Sequence, residues 1–407
     1  MGGALLDLVA KGGQDVYFIS NPQISFFKKV FKRHTNFSIE FQKFQLDKNL
    51  DFGNTTSYII PRQGDLIKDM YLQVKLPNLV GQISQTVSYI NHIGYAMIDY
   101  LELYINTTLI SKITGEWLYI YHELYMNETQ KKALKEMVGV NPFENYSSTN
   151  GNTGGTYLIP LHFWFQEEIG SAIPHTALQY SDIEIKLKLK DFNKLWITSD
   201  GLPPSGTYNL TSGHLCLEKI YLDTKERKEF ATQSHEYLID KIQYSLHNTI
   251  RKGDKFKTID LHFNHPITEL IFVIQPNEKH QSKVDGGNDV SNYAKNDTSP
   301  FLDTIKTAKL ILNGQDRTPE MSALELRLYN PFKYHTSVPN NFIYMFPFAL
   351  NPEDYQPSGS CNFSRFDIKQ IQVELADDIP DSELKVFGVS YNILRITKGL
   401  AGLAYLN

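Results

Sequence analysis

The sequence predicts an all-β protein built from two copies of one β-sandwich. Three observations support this prediction: apolar and polar residues alternate in several short segments, turn-forming stretches separate them, and a weak repeat relates the two halves. Alternation with a period of two is typical of a strand with one buried and one solvent-facing side. A chain of 407 residues also exceeds the usual size of one hydrophobic core, so two domains are expected.

The alternating segments are the strand candidates. Residues 183–189 are the clearest, because Ile and Leu alternate there with Glu and Lys, and residues 70–76, 259–263 and 371–375 follow the same pattern. Stretches rich in Gly, Pro, Asn and Ser lie between them, at residues 141–155, 202–213 and 277–300. We expect the first and last of these to form exposed outer loops. One helix is predicted, at residues 127–137, with Asn127 as its N-cap.

The repeat relates three landmarks in each half of the chain. IKDMYLQVKLP at 67–77 resembles ITELIFVIQP at 267–276, LYIN at 103–106 resembles LILN at 310–313, and YLIP at 157–160 resembles YMFP at 344–347. Their order is the same in both halves, which favours a tandem duplication of one sandwich. We therefore predict an N-terminal arm at 1–25, a first sandwich at 26–208 and a second at 209–407.

Composition and motifs argue against most kinds of chemistry. Forty basic and forty-five acidic residues give a net charge of -5, which does not suit a protein that wraps nucleic acid. Cys216 and Cys361 are too few and too far apart for a disulfide framework or a thiolate zinc site. No catalytic set, metal-ligand spacing or cofactor motif is apparent, so we expect no enzyme activity, no metal and no cofactor.

Two acidic residues leave a carbohydrate-binding or carbohydrate-cleaving sandwich as an alternative. Glu167 and Glu168 follow aromatic residues in FWFQEE, a composition found at sugar-cleaving sites. Such a site needs both carboxylates to face the same bond. If these neighbours lie on a strand, as we expect, they point to opposite sides and do not converge.

A basic and aromatic stretch stands out near the N-terminus. Between Phe26 and Phe37 no acidic residue occurs, and aromatic and basic side chains are interleaved: Phe26, Phe27, Lys28, Lys29, Phe31, Lys32 and Arg33. Taken alone, this composition fits a nucleic-acid arm, a membrane-surface anchor or an assembly segment.

GGQDVYFISNPQISFFKKVFKRHTNF at 12–37 resembles the N-terminal signature of the major capsid proteins of large icosahedral nucleocytoplasmic double-stranded DNA viruses. NGQDR at 313–317, the run at 335–367, and YNILRITKGLAGLAYLN at 391–407 resemble the same family in the same order. The resemblance therefore spans both halves of the chain.

This resemblance implies an all-β double jelly roll, two tandem eight-stranded antiparallel sandwiches with a few short helices in loops. It also implies a structural major capsid protein that trimerises into pseudo-hexagonal capsomers and tiles the shell. The implied partners are the chain itself as a homotrimer, neighbouring capsomers, minor capsid proteins and, as a further candidate, the surface of an internal viral membrane, with no direct contact to nucleic acid. The implied location is the outer shell of the virion, with assembly in the host cytoplasm.

Under this interpretation the basic and aromatic stretch is an assembly segment at the base of the capsomer. Cys361, Asn362 and Arg365 are interpreted as a structural turn, in which Arg365 either braces the loop through hydrogen bonds to backbone carbonyls or is an ordinary exposed arginine. Asn145 and Asn209 lie in predicted loops within N-x-S/T sequons and are candidate glycosylation sites. A minor capsid or penton relative of the family is a second alternative to the major shell protein.

Overall fold

The computed structural model describes residues 2–46, 50–83, 85–139, 154–280, 288–295 and 302–405. The chain divides into two compact units, one ending at Asn36 and one beginning at Phe37. The first unit contains helices α1 (Gly3–Val9) and α2 (Gly13–Ile19), and neither helix has a buried residue. The predicted arm, at residues 1–25, lies within the first unit.

The second unit begins with a jelly-roll sandwich, whose strands and helices are numbered in chain order. One sheet has the antiparallel order β1 (Phe37–Gln45), β11 (Ser212–Leu222), β3 (Leu66–Lys75) and β7 (Thr156–Pro160), and β8 (Ile173–Pro174) also pairs with β3. The facing sheet has the order β2 (Thr55–Ile59), β9 (Ile183–Leu189), β5 (Ile98–Ile105) and β6 (Thr108–Thr114). A short pair, β4 (Val87–Tyr89) and β10 (Trp196–Thr198), lies outside these sheets.

The second sandwich repeats this order strand for strand. One sheet runs β12 (His235–Ile250), β21 (Ser382–Thr397), β14 (Pro266–Pro276) and β18 (Tyr344–Pro347), with β19 (Cys361–Asn362) on β14 and β22 (Leu400–Leu403) on β21. The other runs β13 (Phe256–Asp260), β20 (Lys369–Leu375), β15 (Ile305–Leu312) and β16 (Gln315–Asp316), with β17 (Met321–Ser322) on β15. The predicted double jelly roll, with eight strands on the main paths of each sandwich, is confirmed.

The sequence repeat maps onto equivalent strands. Its first landmark is β3 in one half and β14 in the other, and each strand carries one bulged residue at the same place, Lys68 and Thr268. Its second landmark ends at Asn106 and Asn313, which both take a positive φ, 55° and 49°, at the turn after β5 and β15. The duplication inferred from the sequence therefore extends to details of backbone geometry.

Burial follows the strand pattern in both sandwiches. In β9 every second residue, from Ile183 to Leu189, is buried, as the alternation predicts. In β14 every residue after Pro266 is buried. A strand reads as a continuous apolar run when both of its faces are covered, and the other half of the chain covers the outer face of β14, as described below.

Helices occupy the connections between strands. They are α3 (Ile93–Ala96), α4 (Gly115–Tyr125), α5 (Glu128–Val138), α6 (Trp164–Glu167), α7 (Thr224–Thr232) and α8 (Asn330–Tyr334), the last preceded by a π-helical turn at Glu325–Tyr329. The predicted helix is α5. Its cap is also confirmed, because Asn127 accepts a hydrogen bond from the Gln130 amide at 2.9 Å and the Gln130 side chain accepts one from the Asn127 amide at 3.0 Å.

One expectation about local structure needs correction. Glu167 ends α6, so the strand expected at FWFQEE is wrong, and a short helix replaces it. Strand β11 pairs with β1 and β3 of the first sandwich. None of the described helices is long and apolar enough to cross a membrane.

The predicted outer loops fall largely outside the residues that the structure describes. Residues 140–153 cover most of the first loop, and residues 281–287 and 296–301 cover much of the second. They lie outside the described residues.

Candidate functional site

Helix α4 joins the two jelly rolls. It begins directly after β6, where the Thr114 hydroxyl accepts a hydrogen bond from the Trp117 amide at 3.2 Å. Trp117, Tyr121 and Tyr125 are four residues apart and so lie along one side of the helix. The Trp117 ring packs against Phe387 on β21 of the second sandwich, with 5.8 Å between ring centroids.

A buried ion pair lies beside this aromatic contact. The Lys385 ammonium on β21 donates to both carboxylate oxygens of Glu116 at 3.0 Å and to the Gln275 side-chain oxygen at 2.7 Å. The Tyr293 hydroxyl also donates to Glu116, at 3.2 Å. The Lys385 and Glu116 side chains are only 8% and 17% exposed. Because several hydrogen bonds satisfy both charges, the pair holds α4 in one position.

A second polar cluster is centred on His335. Its Nε2 lies 2.8 Å from Glu269 on β14, its Nδ1 lies 2.9 Å from Glu353, and its side chain is fully buried. Burial alone lowers the pKa of this histidine, but the two carboxylates outweigh burial and raise the pKa to about 9. His335 therefore carries a positive charge at neutral pH. Tyr125 of α4 donates its hydroxyl to Glu269, which links this cluster to the first sandwich.

Beside the His335 cluster, between the two jelly rolls, lies a cavity of about 150 Å³. The first sandwich contributes Tyr121, His162 and Glu167 to its lining, and the second contributes Asp240 and Glu353. Burial raises the pKa of the Asp240 carboxyl, and the nearby charge of Glu269 adds to the effect. Burial of the carboxyl and the nearby charge of Asp240 likewise raise the pKa of Glu167, although the residue as a whole is exposed.

A third contact lies at the start of α5. The Lys131 ammonium donates to the Glu123 carbonyl at 2.8 Å and to the Ser337 hydroxyl at 2.7 Å. The amide of Asn340 donates to the Glu123 carboxylate at 3.0 Å. Together the three contacts fix one jelly roll against the other. In the part of the chain that the structure describes, no group of three His, Cys, Asp or Glu residues is placed to hold a metal ion.

The predicted assembly segment lies in the N-terminal unit, before β1. Its aromatic side chains are strongly exposed: Phe26 is 88% accessible, Phe27 99% and Phe31 81%. The basic residues among them, Lys28, Lys29, Lys32 and Arg33, are exposed as well. Exposed aromatic groups at this density are typical of a surface that another molecule covers.

The predicted turn near Cys361 begins with a short strand. Cys361 and Asn362 form β19, and the Asn362 side chain accepts a hydrogen bond from the Ser364 amide at 3.1 Å. Arg365 is exposed, and it is Lys369 that donates to the carbonyls of Phe263 and Phe363, at 3.1 and 3.3 Å. Of the two candidate glycosylation sites, Asn209 is exposed and Asn145 lies outside the described residues.

Sequence reasoning missed helix α4 and its contacts. A signal for the helix exists in GEWLYIYHELY, where the aromatic residues recur every four positions. Its partner residues on β14 and β21 have no such signal, because they are distant in the sequence and belong to no recognisable motif.

Comparison with known proteins identifies the family. Residues 25–214 match the family described as "Major capsid protein N-terminus", and residues 226–402 match "Large eukaryotic DNA virus major capsid protein". The chain is 35% identical to the major capsid protein of Pyramimonas orientalis virus, over the whole of both chains. The chain belongs to the major capsid protein family of large eukaryotic DNA viruses. Another relative, the major capsid protein of Paramecium bursaria Chlorella virus 1, is 30% identical over the whole of both chains.

Solved capsid structures agree with this family assignment. A chain of the PBCV-1 virus capsid superposes with a TM-score of 0.80 at 26% identity, covering 94% of this chain and all of that one. The Faustovirus major capsid protein superposes with a TM-score of 0.76 at 13% identity, covering 97% and 96% of the two chains, and so supports the fold. Members of the major capsid protein family are structural proteins of the virion, not enzymes. The family predicted from the sequence is confirmed.

Proposed function

We propose that this chain is the major shell protein of its virus, that three copies form a pseudo-hexagonal capsomer, and that capsomers tile an icosahedral shell. The observation that supports this proposal is the strand-for-strand repeat of two jelly rolls held together by α4. Three copies of a two-sandwich chain present six similar edges. A block with six similar edges packs in hexagonal arrays and can cover large flat facets.

The N-terminal unit is the proposed base contact of the capsomer. Its exposed aromatic residues suit apolar contacts with neighbouring capsomers or minor capsid proteins. Its four basic side chains suit acidic partners or the headgroups of an internal viral membrane. The overall charge of -5 disfavours the genome as a partner. Assembly takes place in the host cytoplasm, and glycan addition at Asn209 is a further proposal.

The first test is the solution mass of the purified chain by light scattering on a sizing column. Three copies of 46.7 kDa give about 140 kDa, and images of that species should show a pseudo-hexagonal outline. A stable monomer of 46.7 kDa that also fails to form shells with the other virion proteins would contradict the proposal. Copy number in virions separates a major from a minor shell protein, because a major protein dominates a stained gel of purified particles.

A further inference from the structure

The two jelly rolls carry equivalent helices after equivalent strands. In the first, Thr114 pairs with Tyr100 of β5 and caps α4. In the second, Ser322 pairs with Thr307 of β15, at the corresponding place in the repeat, and its hydroxyl accepts a hydrogen bond from the Glu325 amide at 3.4 Å. The helical run at 323–334, here called the second-half helix, therefore corresponds to α4.

The two helices differ in what covers them. In α4, Tyr121 lies seven residues after its cap and faces the second sandwich across the cavity between the halves. In the second-half helix, Tyr329 lies seven residues after Ser322 and is 58% exposed. Leu324 and Phe332 of the same helix are 60% and 75% exposed. Large apolar side chains clustered on one exposed helix indicate a surface that a partner buries.

The sheet that receives α4 also has an exposed counterpart. Ile242 on β12 lines the cavity facing α4 and pairs with Val389 of β21. By strand register, its equivalent in the first sandwich is Phe41 on β1, which pairs with Glu218 of β11. Phe41 is 69% exposed, and Ile39, two residues earlier on the same face, is 49% exposed.

The end strands of the sheets also have equivalents in the two sandwiches. Strand β12 is the end strand of its sheet and lies in contact with β6, the end strand of the neighbouring sandwich. Strand β1 is likewise the end strand of its sheet, and β16 and β17 end the corresponding sheet of the second sandwich. The contact that joins the halves within the chain thus has an exposed helix as its counterpart on the second sandwich and an exposed sheet face as its counterpart on the first.

We propose that the second-half helix of one copy, through Leu324, Tyr329 and Phe332, packs on the β1 face of a second copy, at Ile39 and Phe41. This contact repeats between chains the one that α4 makes within the chain. It is head-to-tail, since each copy offers a helix on its second sandwich and a sheet face on its first. The inference rests on the proposed trimer and assigns the surfaces that close it.

The test compares two surface variants of the full chain. The helix variant carries Leu324→Ser, Tyr329→Ser and Phe332→Ser, and the strand variant carries Ile39→Ser and Phe41→Ser. The control is Phe256→Ser on β13, at the opposite edge of the sheet from β16, where the side chain is 58% exposed, as Tyr329 is. Circular dichroism establishes that each variant keeps its β structure before its mass is measured.

Wild type and control should run at about 140 kDa, and each variant alone at the monomer mass of 46.7 kDa. An equimolar mixture of the two variants, at high protein concentration, should form a dimer of about 93 kDa, twice 46.7 kDa. Only a head-to-tail contact predicts this rescue, because each variant retains the surface that the other lacks.

Three results would overturn the inference while leaving the trimer intact. They are a trimer in both variants, loss of the trimer in the strand variant alone, and two monomeric variants that do not associate on mixing. The second result would assign the β1 face to another occupant. A monomeric wild type would instead overturn the proposed trimer and this contact together.

Discussion

Lys385 in the second jelly roll and Glu116 in the first form an ion pair, with the ammonium 3.0 Å from each carboxylate oxygen. The pair is largely buried, and the two residues are 269 positions apart in the sequence. It therefore connects two segments that are far apart in the sequence. Breaking this pair should therefore lower the free energy of unfolding of the whole molecule.

Glu116→Gln should lower the free energy of unfolding by about 3 kcal/mol, because it leaves the Lys385 ammonium buried without its counter-charge. Urea denaturation followed by fluorescence measures this loss. The matched control is Glu236→Gln, which removes the partner of Arg395 from a pair of 2.7 Å with both side chains more than half exposed. That change should cost less than about 1 kcal/mol. Equal losses in the two variants would contradict the structural role of the buried pair.

Stability should fall as the pH rises from about 6 to about 9.5. The folded state raises the pKa of His335 from 6.5 to about 9, so the folded protein binds this proton more tightly than the unfolded chain. The resulting stabilisation is complete below pH 6.5 and is lost as the pH passes 9. It amounts to about 3 kcal/mol. Urea unfolding of wild type and His335→Gln at both pH values checks it, because the variant should show a smaller decline.

Asp240→Asn should have a pH-dependent effect in the same region. The raised pKa of Asp240 means that ionising this carboxyl disfavours the folded state. The penalty is nearly absent at pH 3, where folded and unfolded chains both hold most of the proton, and it grows as the pH rises. The variant should therefore be more stable than wild type at pH 8 and similar to it at pH 3. A gain of equal size at both pH values would show that ionisation is not the cause.

Gly115→Ala should destabilise the start of α4. A Cβ atom at this position would collide with the carbonyl oxygens of Tyr95 and Ile98, which are backbone atoms and cannot move aside cheaply. We expect a loss of about 1–3 kcal/mol, the usual cost of overpacking, measured by thermal unfolding. Gly170→Ala is the control, since nothing lies within 4 Å of its added Cβ. If both variants melted alike, close packing at Gly115 would not be the reason for this glycine.

Deletion of residues 2–14 should leave a folded trimer that assembles poorly. Helix α1, within this segment, contains no buried residue, so its removal takes nothing from either sandwich core. Light scattering should give an unchanged capsomer mass, and electron microscopy of assembly reactions with the other virion proteins should show few closed shells. Intact shells in normal number from the truncated protein would exclude an assembly role for this segment.

The elements that could be predicted from the sequence are those determined by near neighbours. The alternation in Ile183–Leu189 specifies a strand with one buried face, and Asn127 with Gln130 specifies the start of α5. The repeat predicted two like domains because both halves keep their landmarks in order. The family and its capsid function followed from motifs at both ends of the chain.

What could not be predicted depends on contacts made only after folding. The ion pair of Glu116 and Lys385 has no signature in either segment, and the charge of His335 depends on Glu269 and Glu353 arriving from two other elements. Glu167 was expected on a strand because its aromatic neighbours favour one, but the short helix α6 satisfies the Phe163 amide through the Gln166 side chain at 2.9 Å. The Gln166 side chain also donates to the Met70 carbonyl on β3 at 2.9 Å, and this tertiary contact depends on a strand that is distant in the sequence.

The distance along the chain between α4 and its partners also determines how long α4 remains without them during translation. At a translation rate of roughly 5–20 residues per second, the ribosome needs on the order of ten to fifty seconds to proceed from Glu116 to Lys385. Throughout that interval the aromatic side of α4 lacks the complete sheet against which it packs. A nascent chain that exposes Trp117 and Tyr121 can associate with other nascent chains on the same mRNA. Efficient production of this protein should therefore depend on chaperones that bind the first half until the second has emerged.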